Sequence, residues 1–217
     1  KGYQIIVENG SKDRTREILK SKKNQNCYYL FEDNLDQYKS RGERLERARN
    51  IIIEKIKSEP NLRNCDLLII LDLDDTGEYR IDNKNILKSL EFLFSKKNIA
   101  GIFANQLGTY YDIWTLRDEK YCKNDFWVEV LQNICAKAYP IDQISPNILE
   151  EVNNNYIKKK TYSFDVNQDP INVYSAFGGF GIYKMNNVLN NKRYYEGTQT
   201  IELKFKDNTT TKTKFQK

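Results

Sequence analysis

The apolar run Asp66-Leu67-Leu68-Ile69-Ile70-Leu71 ends in Asp72-Leu73-Asp74-Asp75-Thr76. Side chains alternate along an extended chain, so Asp72 and Asp74 point the same way. Two such carboxylates repel unless a cation lies between them. Oxygen ligands alone suit Mg2+ or Mn2+, ions that usually also hold substrate phosphates. Asp72, Asp74 and Asp75 are therefore the candidate metal ligands, with Mn2+ or Mg2+ as the expected cofactor. The plainer alternative is a solvated acidic turn that closes the strand. The chain contains no histidine, which excludes Ser-His-Asp hydrolysis, histidine zinc sites and a histidine general base. Cys27, Cys65, Cys122 and Cys135 lie far apart with no C-x-x-C pair, a pattern of reduced core thiols.

Carboxylates at a strand end reach a ligand when that end opens into the crevice of an α/β sheet. The flanking pattern supplies such a sheet. Tyr3 to Glu8 reads as a strand closed by the turn Asn9-Gly10-Ser11, with Ser11 placed to cap a helix from Asp13 to Lys20. Cys27 to Phe31 is the next strand. Arg41 to Lys57 is a helix with Leu45, Ala48, Ile52 and Ile56 at helical spacing. Asp66 to Leu71 is a strand apolar enough to be buried on both faces. Strands alternating with helices predict a doubly wound, mostly parallel α/β sheet flanked by helices. Further on, Asn85 to Phe94 and Asp125 to Ala138 read as helices, and Ile99 to Ala104, Thr109 to Leu116 and Ala176 to Tyr183 as strands. Segment 145–160 reads as a polar surface excursion. The tail has one strand from Ile201, followed by loosely held Thr/Lys-rich residues.

With 217 residues the chain suits a single α/β domain. The expected division is a first half at 1–80, a second half at 81–200 and a tail at 201–217. Thirty-five basic against 30 acidic residues give a net charge of +5, a mild excess that suits a phosphate-bearing ligand. Basic and acidic residues are interleaved, which speaks against nucleic-acid binding. Hydrophobic residues make up 39% of the chain, and no apolar run approaches the roughly 20 residues of a transmembrane helix. With no signal-like start, the expected location is cytoplasmic. Heavy use of Lys, Asn, Ile and Tyr fits a large DNA virus or an AT-rich bacterium.

Two enzyme classes use an apolar strand followed by these aspartates. Asp72-Leu73-Asp74-Asp75-Thr76 matches the D-x-D-x-T of haloacid-dehalogenase-like phosphatases, where Asp72 would be the nucleophile and Asp74 the acid/base. It also matches the D-x-D of GT-A glycosyltransferases. Upstream, Ile6-Val7-Glu8-Asn9-Gly10-Ser11-Lys12-Asp13-Arg14-Thr15 resembles the V-D-N-G-S-x-D-x-T segment of family 2-type glycosyltransferases, about 60 residues before the aspartates, as in that family. Two strand–helix units precede the motif, unlike in the phosphatases. The sugar-nucleotide reading is therefore favoured.

The resemblance covers about residues 3–197 and implies a nucleotide-binding half at 1–80, an acceptor half at 81–200 and roles for single residues. Glu8, with Asn9, stands at the position that contacts the nucleobase, and Asp72 helps to orient the nucleoside. Arg41 to Asn50 resembles the helix under the nucleotide, which singles out Arg44, Arg49 and Asn50. Gly108 to Asp118 resembles a Y-Y-D-x-W-x-L-R segment of viral, fungal-capsule and bacterial GT-A enzymes. It marks Asp112 as a candidate catalytic carboxylate, and Trp114 and Arg117 for the sugar or acceptor. Ser175 to Lys184 resembles the F-G-G-x-x-I-Y-K strand, where Gly178 and Gly179 admit a close ligand. The acidic, often histidine-bearing motif that follows in the family is here Tyr194-Tyr195-Glu196-Gly197-Thr198-Gln199, which leaves Glu196 as the candidate general base. The family's first strand has no counterpart before Lys1, so an N-terminal strand is expected to be missing. The implied reaction moves a sugar from a nucleotide diphospho-sugar to a hydroxyl on a glycan, protein or lipid-linked acceptor. A degenerate, non-catalytic nucleotide-sugar-binding domain is a further alternative.

Overall fold

The computed structural model describes residues 2–22, 24–72, 82–105, 108–110, 112–113, 115–138, 144–165, 167–192 and 194–216. The architecture is mixed α/β, built on small sheets. The strands pair as β1-β2, β3-β5-β4 and β6-β7. The chain divides into two compact units. One comprises 1–68, 183–199 and 215–217; the other comprises 69–182 and 200–214.

In the first unit, β1 (Gln4–Glu8) and β2 (Cys27–Phe31) pair in parallel from Gln4 opposite Cys27 to Glu8 opposite Phe31. Parallel neighbours need a crossover, which here contains helix α1 (Thr15–Ser21). The helix starts later than its sequence suggests. Ser11 does not cap it: Arg14 stands at the cap position and makes no side-chain cap bond, while the Ser11 N–H donates to Glu8 Oε1 at 2.5 Å.

Helix α2 (Arg41–Ser58) is opened by Ser40 and Glu43 in a reciprocal capping box. Ile53 and Ile56 pack with Leu62 of α3 (Pro60–Arg63) and Met185 of α7 (Met185–Asn190) as the core of this unit. Tyr3, Ile5, Tyr28, Leu68 and Val188 surround them.

The second unit holds α4 (Asn83–Ser95), β4 (Gly101–Phe103) and α5 (Phe126–Cys135). Asp125 caps α5 by accepting the N–H groups of Trp127 and Val128, both at 3.1 Å. Phe126, Val130, Tyr110, Leu116, Cys122 and Val152 form its core. Each large apolar side chain buried there contributes about 1.5–3 kcal/mol.

Three expectations are corrected here. Segment 145–160 is not a polar excursion. Ser145 caps α6 (Pro146–Val152), which continues as wider and then tighter helical turns to Lys160. Ile148, Val152, Tyr156 and Ile157 reach the core, whereas Leu149 stays exposed, and the many Asn and Lys between them conceal the pattern. The aromatic segment from Thr109 to Leu116 is not a strand among its described residues. Thr109 makes one isolated bridge to Ser163, and Tyr110 and Leu116 are core residues carried on turns. The Thr/Lys tail forms β7 (Thr210–Gln216), paired with β6 (Thr198–Lys204).

Strand β3 (Leu67–Leu71) is also less enclosed than its composition suggests: Ile69 is 52% and Leu71 44% exposed. It lies at the edge of the small sheet, with β5 (Phe180–Lys184) between it and β4. All four cysteines are unpaired, and burial pushes the Cys122 and Cys135 thiols above their ordinary pKa.

Candidate functional site

Four residues singled out from the sequence converge in the second unit. Strand β3 delivers Asp72, whose backbone N–H donates to Gly179 O at 3.0 Å. Gly178 and Gly179 are the middle of a tight turn from Phe177 to Phe180, with φ of 63° and 80°. Both values lie in the left-handed region that glycine reaches without penalty. The turn therefore ends before β5 begins, where a continuous strand from Ala176 was expected. The Gly178 N–H donates to Asp112 Oδ2 at 3.1 Å, and the same oxygen accepts Thr115 Oγ1 at 2.9 Å. The Tyr110 hydroxyl accepts the Phe177 N–H at 3.2 Å. A Cβ on Gly178 would stand 2.6 Å from Ala104 O, so only glycine fits. Strand end and glycine turn are thus fixed by a backbone bond, and Asp112 is tied to the turn through its carboxylate.

Arg117 is committed elsewhere. Its Nη2 donates to Asp125 Oδ2 and its Nη1 to Leu116 O, both at 2.6 Å. It ties the segment to the start of α5, and its side chain is only 19% exposed.

In the first unit, Glu8 closes β1 and is 5% exposed. One carboxylate oxygen accepts Ser11 N–H; the other accepts Arg16 Nε at 2.5 Å. A second Arg16 nitrogen pairs with Asp33. Burial pushes the Glu8 pKa up, but the Ser11 and Arg16 bonds outweigh it and hold the carboxyl below its ordinary value. Beside it, Asn9 Oδ1 is buried without a partner among the described residues. Glu8 is therefore a fixed anion that organises the β1–α1 turn, and both of its oxygens are occupied.

Helix α2 places Glu46, Arg49 and Asn50 on one face by their three- and four-residue spacing. Asn50 exchanges two bonds with the backbone of Tyr195, at 2.8 and 3.0 Å. Glu46 Oε2 accepts the Gly197 N–H at 2.6 Å. Arg49 lies over the Tyr195 ring, 5.5 Å from its centroid. Between these anchors Glu196 is exposed. Arg44 donates to Tyr38 O at 2.9 Å, outside this clamp.

Asp74, Asp75 and Trp114 lie outside the described residues. Among the described residues no group of three or more Asp, Glu, Cys or His side chains is placed to hold a metal ion. Asp72 and Asp112 supply only oxygen, a donor set that suits Mg2+ or Mn2+.

No family model, curated protein or solved structure matches this chain. Sequence reasoning missed Arg16 and Glu46. Arg16 reaches back over the turn to Glu8 and Glu46 reaches far along the chain to Gly197, and their neighbours read as an ordinary charged helix face. It also missed Asp118, 2% exposed, whose Oδ1 accepts the N–H groups of Lys120 and Tyr121.

Proposed function

We propose that the chain is a metal-dependent glycosyltransferase that moves a sugar from a nucleotide diphospho-sugar to a hydroxyl acceptor, on a GT-A-type doubly wound fold. The observation that carries this reading is the convergence of Asp72, the Gly178–Gly179 turn and Asp112 in one unit. A carboxylate-bearing strand end beside a glycine turn and a second carboxylate is an arrangement suited to a metal–diphosphate group and a sugar.

In this reading Asp74, with Asp72 or Asp75, holds Mn2+ or Mg2+. The ion supplies Lewis-acid neutralisation of the diphosphate leaving group. Asp112, oriented by the Gly178 N–H and Thr115, serves the sugar side, the role that the resemblance also assigns to Trp114. Glu196, exposed in the first unit, is the proposed general base on the strength of the family resemblance alone. The four unpaired thiols support a reducing, cytoplasmic setting. Among the described residues no helix is long and apolar enough to cross a membrane.

A melting screen of nucleoside diphosphates and nucleotide sugars, with and without Mn2+, tests the site. At ligand about 100-fold above Kd, binding adds about 2.7 kcal/mol. The upward shift is expected only with metal, and Asp74→Ala abolishes it. A metal-dependent shift that survives Asp74→Ala refutes the assigned ligands.

A further inference from the structure

The β6–β7 hairpin carries a charged face with no role in the site described above. Along β6 and the two residues that follow it the side chains alternate: Ile201, Leu203 and Phe205 are buried, while Glu202, Lys204 and Lys206 are exposed. The connection from Phe205 to Thr209 is closed by the Phe205 N–H donating to Thr209 O at 2.9 Å. That bond sets odd-numbered residues of one strand opposite odd-numbered residues of the other. Lys212 and Lys214 therefore share the outward face with Lys204 and Lys206, and all four are exposed. Four lysines stand against one acid, Glu202. Lys204, Lys206 and Lys212 make no ion pair among the described residues.

Residues two apart in a strand are separated by about 6.8 Å, and neighbouring strands by about 4.8 Å. Lys204, Lys206 and Lys212 thus fall within about two Debye lengths of one another at physiological salt and act together. The face carries no arginine to fork onto a phosphate and no aromatic ring to stack a base. Lysine is a strongly hydrated point charge, suited to a diffuse anionic surface. Scattered lysines on an edge strand guard against aggregation, but here they are gathered on one face of a paired hairpin.

We propose that the outward face of the β6–β7 hairpin docks the second unit onto an anionic lipid surface. The interaction is peripheral and electrostatic, and it stands independently of the glycosyltransferase reading.

Sedimentation of the full chain with phosphatidylcholine vesicles, with and without phosphatidylserine, tests it. Binding is expected only to the phosphatidylserine vesicles and is reversed by high salt. Replacing Lys204, Lys206 and Lys212 together by Gln lowers the partition coefficient about 100-fold, since each lysine near the surface adds about a factor of five to ten. A control of equal charge, Lys84→Gln with Lys88→Gln and Lys97→Gln, retains at least ten times the binding of the hairpin variant, on the order of one lysine's worth or more. The salt and lipid dependence of the unaltered chain tests the proposal even where the hairpin variant does not fold. Equal binding to both vesicles, no binding, or equal loss in the control overturns it. So does a single-stranded oligonucleotide that displaces the chain from vesicles through these same lysines, which would assign the face to nucleic acid.

Discussion

Gly197→Ala is expected to destabilise the first unit by about 3–5 kcal/mol, at the upper end of single substitutions. A Cβ at this position would stand 2.1 Å from Gly42 O and 2.5 Å from Gly42 C. Both obstacles are backbone, and the carbonyl belongs to α2, so neither can swing aside as a side chain would. Relief requires the segment to lift off the helix, which breaks the Gly197–Glu46 bond at 2.6 Å and strains the two Tyr195–Asn50 bonds. Each buried polar group left unpaired adds about 1–3 kcal/mol. Circular dichroism melts of the variant and the parent read the loss. An unchanged melting temperature would mean that Tyr195 to Gly197 is not seated on α2.

Arg16→Leu is expected to reverse the sign of one contribution to pH-dependent stability. In the parent, the Glu8 pKa is depressed, so Glu8 adds stability above its unfolded pKa of about 4.3. That contribution is lost as pH falls through the lower folded value. Without Arg16 the carboxyl keeps its burial and the Ser11 bond but loses its cation, and burial drives the pKa upward. The ionised group then opposes folding at neutral pH, and protonation on acidification relieves it. The variant should melt about 5 °C below the parent near neutrality, with the gap narrowing as pH falls towards the unfolded carboxyl value. Melts of both proteins across this range measure it. A gap independent of pH would show that Arg16 acts through packing on Phe31, whose ring it covers at 5.3 Å, and not through Glu8.

These two residues illustrate what the sequence made legible. The strand ending in Glu8 and the helix from Arg41 were readable because apolar periodicity and turn residues are local signals. Strand β2 was recovered with its bounds intact, and the α2 helix within one residue. The partners of Glu8 and Gly197 were not legible, since Arg16 and Glu46 reach them across chain separations that carry no pattern. Segment 145–160 was misread for a related reason. Four apolar residues suffice to seat a helix, yet the Asn and Lys around them dominate its composition. Thr109 to Leu116 has aromatic, alternating strand chemistry, but its described residues serve turns and the core. At the site, Asp72, Asp112, Gly178 and Gly179 were each nameable from motif chemistry. That they share one set of hydrogen bonds followed only from the fold. Arg117 shows the converse: a residue of suitable type whose hydrogen bonds are spent on α5.

The central claim is sugar transfer from a nucleotide diphospho-sugar at the carboxylates after β3. Release of nucleoside diphosphate from a panel of nucleotide sugars, with and without Mn2+, tests it most directly, using the parent chain and Asp74→Ala. Metal-dependent release from at least one donor is expected, falling about 100-fold or more in Asp74→Ala, a loss of about 2.7 kcal/mol in transition-state stabilisation. No release from any donor, or release indifferent to both metal and Asp74, would contradict it.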